Sequence, residues 1–317
     1  MARRVAIFVA AFLAAPGASD DACLSGLNDC LVDLHQEPAV LLQLKTSVER
    51  GNARPIWWLH IPKCGSSLGN VLIHVPGMCL SSLPADYSFE RDVDWASQYP
   101  PSVYCPGSFV EEGRYNPGDH SSLGVSPQAL VKGHAVAMFR QPEQRIMSAY
   151  YYNFHSWPYW YYQRWPAGPL EFARVVSGCA VRMLVRDVAS QGLEHDAPSA
   201  CGSVTPANPA ELTSAKQILR DGFRFVGITE EWDLSVCLLH AVLGGDCRST
   251  DFVDSNPGST LIDSSSLYNT SGLLGYKDSI DGELYEEAQV IFQEQLQRFG
   301  VTWEGCQPCF EHRISLS

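Results

Sequence analysis

Apolar residues along the chain form short runs that each stop at a turn and then lead into a helical pattern. Three such runs cover Trp57–Ile61, Ala135–Phe139 and Arg224–Ile228. Each run has the length of a buried strand, and the residues after it favour the first turn of a helix. Strands that alternate with helices predict the α/β class, with a central parallel sheet flanked by helices.

A longer amphipathic pattern lies near the end of the chain and opens at Asp281. Its apolar residues share one face of a helix, and they are Leu284, Ala288, Ile291, Phe292, Leu296 and Phe299. Gly300 follows the last of them and is suited to end the helix as its C-cap. The pattern therefore predicts one long helix that ends at Gly300.

The first apolar run leads into Pro62 and then into Lys63-Cys64-Gly65-Ser66-Ser67, which we name the lysine loop. This sequence predicts a turn of small residues and a helix start. Backbone N–H groups and the helix dipole at such a junction attract anions, glycine permits close approach and lysine adds a mobile cation. The segment is not a Walker A loop, because its lysine precedes the glycine. An ordinary strand–turn–helix connection has a similar pattern and stays open as an alternative.

The second run is followed by Arg140, then by Pro142 at a first helical position and Glu143 in the first turn. Ser148 lies eight residues after Arg140, about two helical turns further on. The arginine fork and the serine hydroxyl can therefore converge on one doubly charged phosphate. Arg145 either assists them or pairs with a carboxylate on the helix face.

The third run continues as Gly227-Ile228-Thr229-Glu230-Glu231. It predicts a glycine turn and a helix that Thr229 caps, with the two glutamates in the first turn. These features indicate a structural role.

In order and spacing these motifs resemble those of the sulfotransferases that use 3′-phosphoadenosine 5′-phosphosulfate (PAPS), in particular Golgi-type carbohydrate enzymes such as heparan sulfate 2-O- and 6-O-sulfotransferases. The lysine loop is similar to the family's Pro-Lys-Thr-Gly-Gly-Thr-Ser loop, with Cys64 in place of a threonine. The segment from Arg140 to Tyr150 is similar to its Arg-x-Pro-x-x-Arg-x-x-Ser-x-Tyr pattern. The Phe-Val-Gly-x-Thr-Glu phrase and a closing Asp-x-x-Leu-Tyr helix also match. The resemblance covers about residues 55–300 and implies a P-loop-like sulfotransferase fold.

The resemblance also implies the reaction, which is transfer of a sulfuryl group from PAPS to a hydroxyl of a carbohydrate acceptor, with release of PAP and without a metal. Lys63 would contact the bridging and leaving-group oxygens, and Arg140 and Ser148 would hold the 3′-phosphate. The 5′-phosphosulfate would be held by the rest of the lysine loop, namely the backbone of Cys64, Gly65, Ser66 and Ser67.

Two histidines, His120 and His134, are candidates for the general base that takes the proton of the acceptor hydroxyl. His134 begins the strand that ends before Arg140, about 20 Å from the end of the sheet where ligands bind. His120 lies in the upstream loop and can fold back, so it is the preferred base and His134 is the alternative. His60, just before the lysine loop, is expected to be structural.

The stretch from Tyr150 to Trp165 is dense in aromatic residues. Such rings stack on sugar faces in acceptor clefts, but they also fill protein cores. Trp157, Tyr159 and Trp160 flank Pro158, and a proline loop favours exposure. These three are therefore the candidate acceptor-binding residues.

Residues 1–19 have the features of a secretory signal peptide, with Arg3 and Arg4 before an apolar run and small residues that suit cleavage. The run from Val5 to Ala15 has 11 residues, too few to span a bilayer, so membrane association would require an uncleaved N-terminal segment. Residues 20–54 then form a lead-in segment, and residues 55–317 form the sulfotransferase domain. The expected location is the secretory pathway, in the Golgi lumen or outside the cell.

The sequence contains 11 cysteines, which fits an oxidising compartment in which most of them pair. Because the count is odd, at least one has no intramolecular partner, and Cys64 in the lysine loop is the candidate. Cys306-x-x-Cys309 has no second such pair nearby, which favours a disulfide role over a zinc or redox role. Asn269-Thr270-Ser271 is an N-glycosylation sequon if the signal peptide is functional.

The formal net charge of −13 argues against nucleic acid as a partner and against a broad heparin-binding surface. We therefore expect an acceptor that is neutral or lightly charged, or one that meets only a local basic patch. Two other classes of protein stay open. One is an ATP-dependent phosphotransferase, against which the lack of a Walker A loop and of a clear set of Mg²⁺ carboxylates argues. The other is a non-catalytic relative that binds a nucleotide or a glycan.

Overall fold

The computed structural model of the chain describes residues 55–81, 104–105, 107, 110–111, 114–115, 120–126, 133–188, 198–252 and 267–314. All of them fall within one unit, Lys45–Ser317. The predicted signal peptide (residues 1–19) and lead-in segment (residues 20–54) lie outside the described residues. In the part of the chain that the structure describes, no helix has the length and apolar character needed to cross a membrane.

Five strands lie in the described residues: β1 (Trp57–Trp58), β2 (Val110–Glu111), β3 (Arg114–Tyr115), β4 (Ala135–Phe139) and β5 (Phe223–Ile228). The predicted parallel sheet is confirmed, and its strand order is β1-β4-β5. Strands β2 and β3 form a separate antiparallel pair. All five residues of β4 are buried, because it is the central strand and helices cover the sheet, as a continuous apolar run requires.

The residues at the end of β5 differ from the sequence-based expectation. Gly227 lies inside the strand opposite Met138, not in a turn. A Cβ atom at this position would overlap the Met138 sulfur, so the close strand pairing requires glycine. Thr229 does not cap a helix, because its Oγ1 donates to Phe139 O at 3.0 Å and so fastens β5 to β4. A short 3₁₀ turn, Thr229–Glu231, follows.

The helices among the described residues are α1 (Leu68–Leu72), α2 (Pro142–Tyr151), α3 (Tyr159–Tyr162), α4 (Pro169–Val176), α5 (Cys179–Val185), α6 (Pro209–Gly222), α7 (Trp232–Leu243), α8 (Ser279–Phe299) and α9 (Gln307–Ile314). Helices α7 and α8 pack against β5, and α6 packs against both α5 and α8. The predicted α/β class is thus confirmed as a small parallel sheet flanked by helices.

The long C-terminal helix predicted from the sequence is confirmed as α8. It begins at Ser279 with Asp278 as its N-cap, slightly before the expected Asp281, and ends at Gly300. Gly300 has a φ of 65°, in the left-handed region where glycine is favoured at helix ends. Five of the six apolar residues that the pattern placed on one face are buried, namely Leu284, Ala288, Ile291, Phe292 and Leu296.

Two buried carboxylates at the start of α8 hold the start of α5. Asp281 accepts hydrogen bonds from the backbone N–H groups of Ala180 (3.0 Å) and Val181 (3.1 Å). Asp278 accepts one from the N–H of Gly178 at 2.9 Å. Because the first N–H groups of a helix have no partner within it, these carboxylates act as caps supplied by another helix.

Four disulfides are present in the described residues: Cys79–Cys105, Cys179–Cys201, Cys237–Cys306 and Cys247–Cys309. Cys306 and Cys309 pair with different partners, which confirms their disulfide role, and both bridges fasten the start of α9 to the region of α7. Cys64 is buried and is the free cysteine of the described residues, as predicted. Several disulfides are typical of extracellular or lumenal proteins.

Candidate functional site

The lysine loop and the Arg140 segment meet at one edge of the sheet. The loop follows β1, Arg140 follows β4, and parallel neighbours place their carboxyl ends at the same edge. Arg140 Nη1 donates a hydrogen bond to Lys63 O at 3.3 Å, which joins residues 77 positions apart in the sequence. This edge is where ligands bind in open α/β sheets.

Lys63 has a φ of 64°, so a non-glycine residue holds the left-handed conformation in the turn. Its ammonium lies 3.6 Å from the centre of the Tyr152 ring, a cation–π contact. Ser66 and Ser67 precede α1, which has only five residues. A helix of five residues contributes few aligned peptide dipoles. The positive character of this site therefore comes from the two side-chain cations, Lys63 and Arg140.

Cys64 faces the interior. Its N–H donates to Ile61 O at 3.1 Å, and its thiol is buried, which raises its pKa to about 12 despite the nearby guanidinium groups of Arg145 and Arg140. The expected contribution of the Cys64 backbone to anion binding is therefore not supported by this geometry, since that N–H already has a partner. Cys64 packs in the core instead.

Gly65 has a φ of 80°, and a Cβ atom there would lie 2.9 Å from the Trp232 ring. The need for glycine thus arises from the turn and from packing against α7. The close approach of a ligand, which the sequence suggests as a reason for glycine here, stays a prediction.

Tyr268 lies between the two residues predicted to share a phosphate. Ser148 Oγ donates to the Tyr268 hydroxyl at 3.3 Å, and the Arg140 guanidinium lies 5.4 Å from the centre of the Tyr268 ring. The Gln144 side chain pairs with the Tyr268 backbone, accepting from its N–H at 2.7 Å and donating to its O at 3.1 Å. Tyr151 stacks on the Tyr268 ring. Tyr268 is therefore held along one face of α2, beside Arg140 and Ser148.

Sequence reasoning did not identify Tyr268. It lies 120 residues after Ser148, and no spacing rule connects the two. Its one sequence signal is that Tyr268 and the preceding Leu267 interrupt a run of serine, asparagine and threonine residues.

Arg145 pairs with a carboxylate, which was one of its two expected roles. It is 1% exposed, its Nη2 donates to Val176 O at 3.0 Å, and the same atom lies 3.8 Å from Asp281 Oδ2. The carboxylate belongs to α8 and not to the face of its own helix. Arg145 therefore connects α2, α4 and α8.

Glu230 brings a negative charge to the same edge of the sheet. Its carboxylate accepts from the N–H of Gln141 at 3.0 Å and from the hydroxyl of Tyr285 at 3.0 Å. Partial burial and the neighbouring Glu230 carboxylate both raise the pKa of Tyr285, so the phenol stays protonated and donates. Glu230 thus fixes the position of the residue that follows Arg140.

His120 belongs to a histidine cluster formed by His60, His120 and His155. The centre of the His120 ring lies 4.5 Å from the centre of the His60 ring and 4.8 Å from that of His155. His60 stacks on Trp58 at 4.4 Å, and His155 contacts Tyr152, the tyrosine under Lys63. The cluster is therefore connected to the lysine loop through one aromatic ring, and His155 is a member that the sequence did not indicate.

His134 lies at the amino end of β4, opposite to the Arg140 end, as the strand register predicted. It is buried, and its Nδ1 donates to Pro55 O at 2.5 Å. The structure thus brings His120 toward the lysine loop through its cluster and leaves His134 at the other edge of the sheet.

The expected exposure of the aromatic stretch is wrong for Trp157. Trp157 is 0% exposed, stacks on Tyr162 and Phe172, and donates from Nε1 to Arg164 O at 2.7 Å. It is a core residue because α3 and α4 pack over it. Tyr159 and Trp160 are half-buried. The exposed rings of this stretch are Tyr151, Tyr152, Tyr161 and Trp165.

The site as a whole offers positive charge and a hydroxyl to a ligand. The ammonium of Lys63, the guanidinium of Arg140 and the hydroxyl of Tyr268 suit an oxyanion such as a phosphate or a sulfate. Ser148 is buried and donates to Tyr268, so it would reach an oxyanion only by exchanging that hydrogen bond. Among the residues described, no group of three or more histidine, cysteine or acidic side chains is arranged to hold a metal ion. No family model, curated protein or solved structure matches the chain.

Proposed function

We propose that this protein is a PAPS-dependent sulfotransferase that acts on a hydroxyl of a carbohydrate and belongs to the P-loop-like sulfotransferase fold. The observation that carries the proposal is the hydrogen bond from Arg140 to Lys63 O. It joins the two motifs that would bind opposite ends of one nucleotide, and it does so at the carboxyl edge of a parallel sheet.

The donor set fits the nucleotide. A 3′-phosphate carries two negative charges, and Arg140, Ser148 and Tyr268 together present a guanidinium and two hydroxyl groups beside it. Lys63 supplies a separate cation for the 5′ side. When bound, PAPS supplies the sulfuryl group and leaves as PAP.

The side chains of this chain would then act in three ways. Lys63 would leave its contact with Tyr152 and neutralise the charge that grows on the leaving oxygen. Arg140 and Ser148 would hold the nucleotide in line with the acceptor. His120 would take the proton of the acceptor hydroxyl, supported by the rings of His60 and His155.

A carbohydrate acceptor is supported by exposed aromatic rings close to this edge. Tyr152 lies under Lys63, and Tyr151 stacks on Tyr268, and both are more than two-fifths exposed. Exposed rings with a polar group bind the apolar faces of sugars. The four disulfides fit an oxidising lumen, and we propose the Golgi lumen as the working location.

The test begins with retention of the purified chain on immobilised PAP, followed by transfer of radiolabelled sulfate from PAPS to a panel of glycans. Retention and transfer are the expected results. Retention without transfer to any acceptor would indicate a non-catalytic nucleotide-binding protein, and no retention would overturn the proposal. Transfer of phosphate from ATP under the same conditions would replace it with a phosphotransferase.

Variants of Arg140 and Ser148 test whether these residues bind the 3′-phosphate of the nucleotide. Arg140→Ala is expected to weaken PAP binding about 10- to 100-fold, because a hydrogen bond to a charged group contributes ~1.5–3 kcal/mol. Ser148→Ala should have a smaller effect in the same direction. Both substitutions should weaken the binding of adenosine 5′-phosphate, which lacks the 3′-phosphate, much less than they weaken the binding of PAP. Arg174→Ala, an exposed arginine of α4, is the matched control. Equal losses of affinity for both ligands would contradict the assignment of Arg140 and Ser148 to the 3′-phosphate.

A further inference from the structure

Asn269 is the acceptor of the single Asn-x-Ser/Thr sequon in the 317 residues of the sequence. The structure places this sequon on the surface, with both Asn269 and Ser271 exposed. Asn269 Oδ1 accepts a hydrogen bond from the N–H of Ser271 at 2.9 Å, which forms an Asx turn. This bond occupies the oxygen of the amide and leaves Nδ2 without a hydrogen bond to the described residues.

Two leucines beside the sequon are unusually exposed. Leu267 is 72% exposed and Leu274 is 80% exposed, which makes them the most exposed large hydrophobic residues that the structure describes. Leu267 precedes Asn269 by two residues. Leu274 directly follows the short 3₁₀ turn Ser271–Leu273 and stands five residues after Asn269. The two leucines therefore place exposed apolar surface on both sides of the sequon, within reach of a group attached to Asn269.

The segment is also fixed in place next to the proposed nucleotide site. Tyr268, the neighbour of Asn269, is paired through its backbone with Gln144 and through its hydroxyl with Ser148. A group attached to Asn269 therefore stands next to Tyr268, which contacts Ser148 and Arg140.

We propose that Asn269 carries an N-linked oligosaccharide that covers Leu267 and Leu274 beside Tyr268. The donor is a lipid-linked oligosaccharide diphosphate. The bond between its anomeric carbon and the phosphate oxygen breaks, a bond from that carbon to Asn269 Nδ2 forms, and the amide proton leaves with the released lipid diphosphate. The disulfides indicate passage through a compartment where this donor is present. The inference does not rest on the proposed function.

The first experiment tests occupancy. The full chain is secreted from a eukaryotic host and treated with peptide N-glycosidase F, and the peptide that contains Asn269 is analysed by mass spectrometry. We expect one oligosaccharide, its loss on treatment, and conversion of Asn269 to aspartate. Asn269→Gln and Ser271→Ala should both abolish the modification, whereas Thr270→Ala keeps the sequon and should keep it. An unmodified Asn269 in the secreted wild-type chain would overturn the proposal.

The second experiment tests the covering role without a substitution at the sequon. The folded glycoprotein is treated with the glycosidase, and its self-association is followed by light scattering. We expect the treated wild-type protein to associate and the treated Leu267→Ser/Leu274→Ser protein to stay monodisperse. Val290→Ser, which changes an apolar residue 46% exposed on α8, is the matched control and should not prevent association. No association of the treated wild type, or equal protection by Val290→Ser, would refute the covering role.

Discussion

Tyr268 contacts both residues proposed for the 3′-phosphate through different parts of one side chain. Its hydroxyl lies 3.3 Å from Ser148 Oγ, and its ring lies under the Arg140 guanidinium. Tyr268→Phe removes the hydroxyl alone and keeps the ring contact. We expect PAP to bind about 10-fold more weakly or worse, since a hydrogen bond to a charged phosphate contributes ~1.5–3 kcal/mol. Isothermal titration calorimetry measures the change.

Tyr161→Phe is the matched control for this change, because Tyr161 is a tyrosine of α3 that is 57% exposed. Its PAP affinity should equal that of the wild type. If Tyr268→Phe also binds PAP with unchanged affinity, then the Tyr268 hydroxyl does not contact the 3′-phosphate and only its ring contributes to the site.

The two candidate bases, His120 and His134, differ in the groups that their rings contact. His120→Ala should lower turnover by about 10²-fold or more with unchanged PAP affinity, because proton removal by a positioned base contributes this much. His134→Ala should lower the free energy of unfolding and leave turnover unchanged, because the His134 ring donates a hydrogen bond to Pro55 O at the amino end of β4. The measurements are steady-state rates, PAP titration and urea unfolding for both variants. Loss of turnover in His134→Ala at unchanged unfolding free energy would make His134 the base.

At the scale of elements, the strand–helix junctions could be predicted from the sequence because their signals are local. The apolar run of β4, Pro142 at the start of α2 and Gly300 at the end of α8 each act within one turn of the chain. A parallel sheet places the lysine loop and Arg140 at the same edge, because each follows the carboxyl end of a strand, and the hydrogen bond between them agrees with this.

Other parts of the site depend on contacts between distant segments, which no local pattern records. Tyr268 reaches α2 from 120 residues away, and Trp157 is buried because α4 happens to cover it. The sequence predicts a turn at Gly227, but this residue lies inside β5 opposite Met138, and the sequence does not reveal that Gly65 packs against Trp232. A glycine in a sequence can indicate that some group packs close to the backbone, but it does not indicate which group.

Asp281 is the residue on which the packing of three helices depends. It caps α5 through two backbone N–H groups and lies 3.8 Å from the buried Arg145 of α2. Asp281→Ala should lower the free energy of unfolding by at least ~3 kcal/mol, because it leaves a buried guanidinium without its counter-charge. Urea denaturation measures the loss.

Glu283→Ala on the same helix provides the comparison. Glu283 is exposed and forms only a surface ion pair with Lys216 at 3.0 Å, so its removal should cost less than ~1 kcal/mol. If both variants are equally stable, the buried carboxylate contributes no more than the surface one, and the proposed coupling of the three helices is wrong.

At the scale of the whole molecule, the charge of the chain and the charge of its site have opposite signs. The net charge of −13 repels polyanions at long range, whereas Lys63 and Arg140 attract an anion only at the carboxyl edge of the sheet. Salt screens the long-range field over about 10 Å at 0.1 M. A small anion can therefore reach the site, and under the proposed function this distribution of charge would favour a neutral glycan as the acceptor.

The stability of the whole molecule should depend on pH through Asp278. Burial, and then the neighbouring Asp281 carboxylate, raise the pKa of Asp278 to about 7, from 3.8 for an exposed aspartate. A carboxyl whose pKa is raised by folding stabilises the folded state while it is protonated. Its contribution is complete below pH 3.8 and is lost as the pH rises through about 7.

We therefore expect the free energy of unfolding to be about 1 kcal/mol higher at pH 6 than at pH 8 because of this one group. Glu171 and Glu211, whose pKa values are lowered by Arg164 and Arg186, stay ionised across this range and do not contribute. Asp278→Asn cannot ionise but keeps an oxygen that can accept from the N–H of Asp281. Urea unfolding of both proteins at the two pH values isolates the effect, and an equal pH dependence in Asp278→Asn would show that other groups cause it. A protein that is more stable at pH 6 than at pH 8 would tolerate a mildly acidic compartment, and its disulfides are typical of extracellular or lumenal proteins in general.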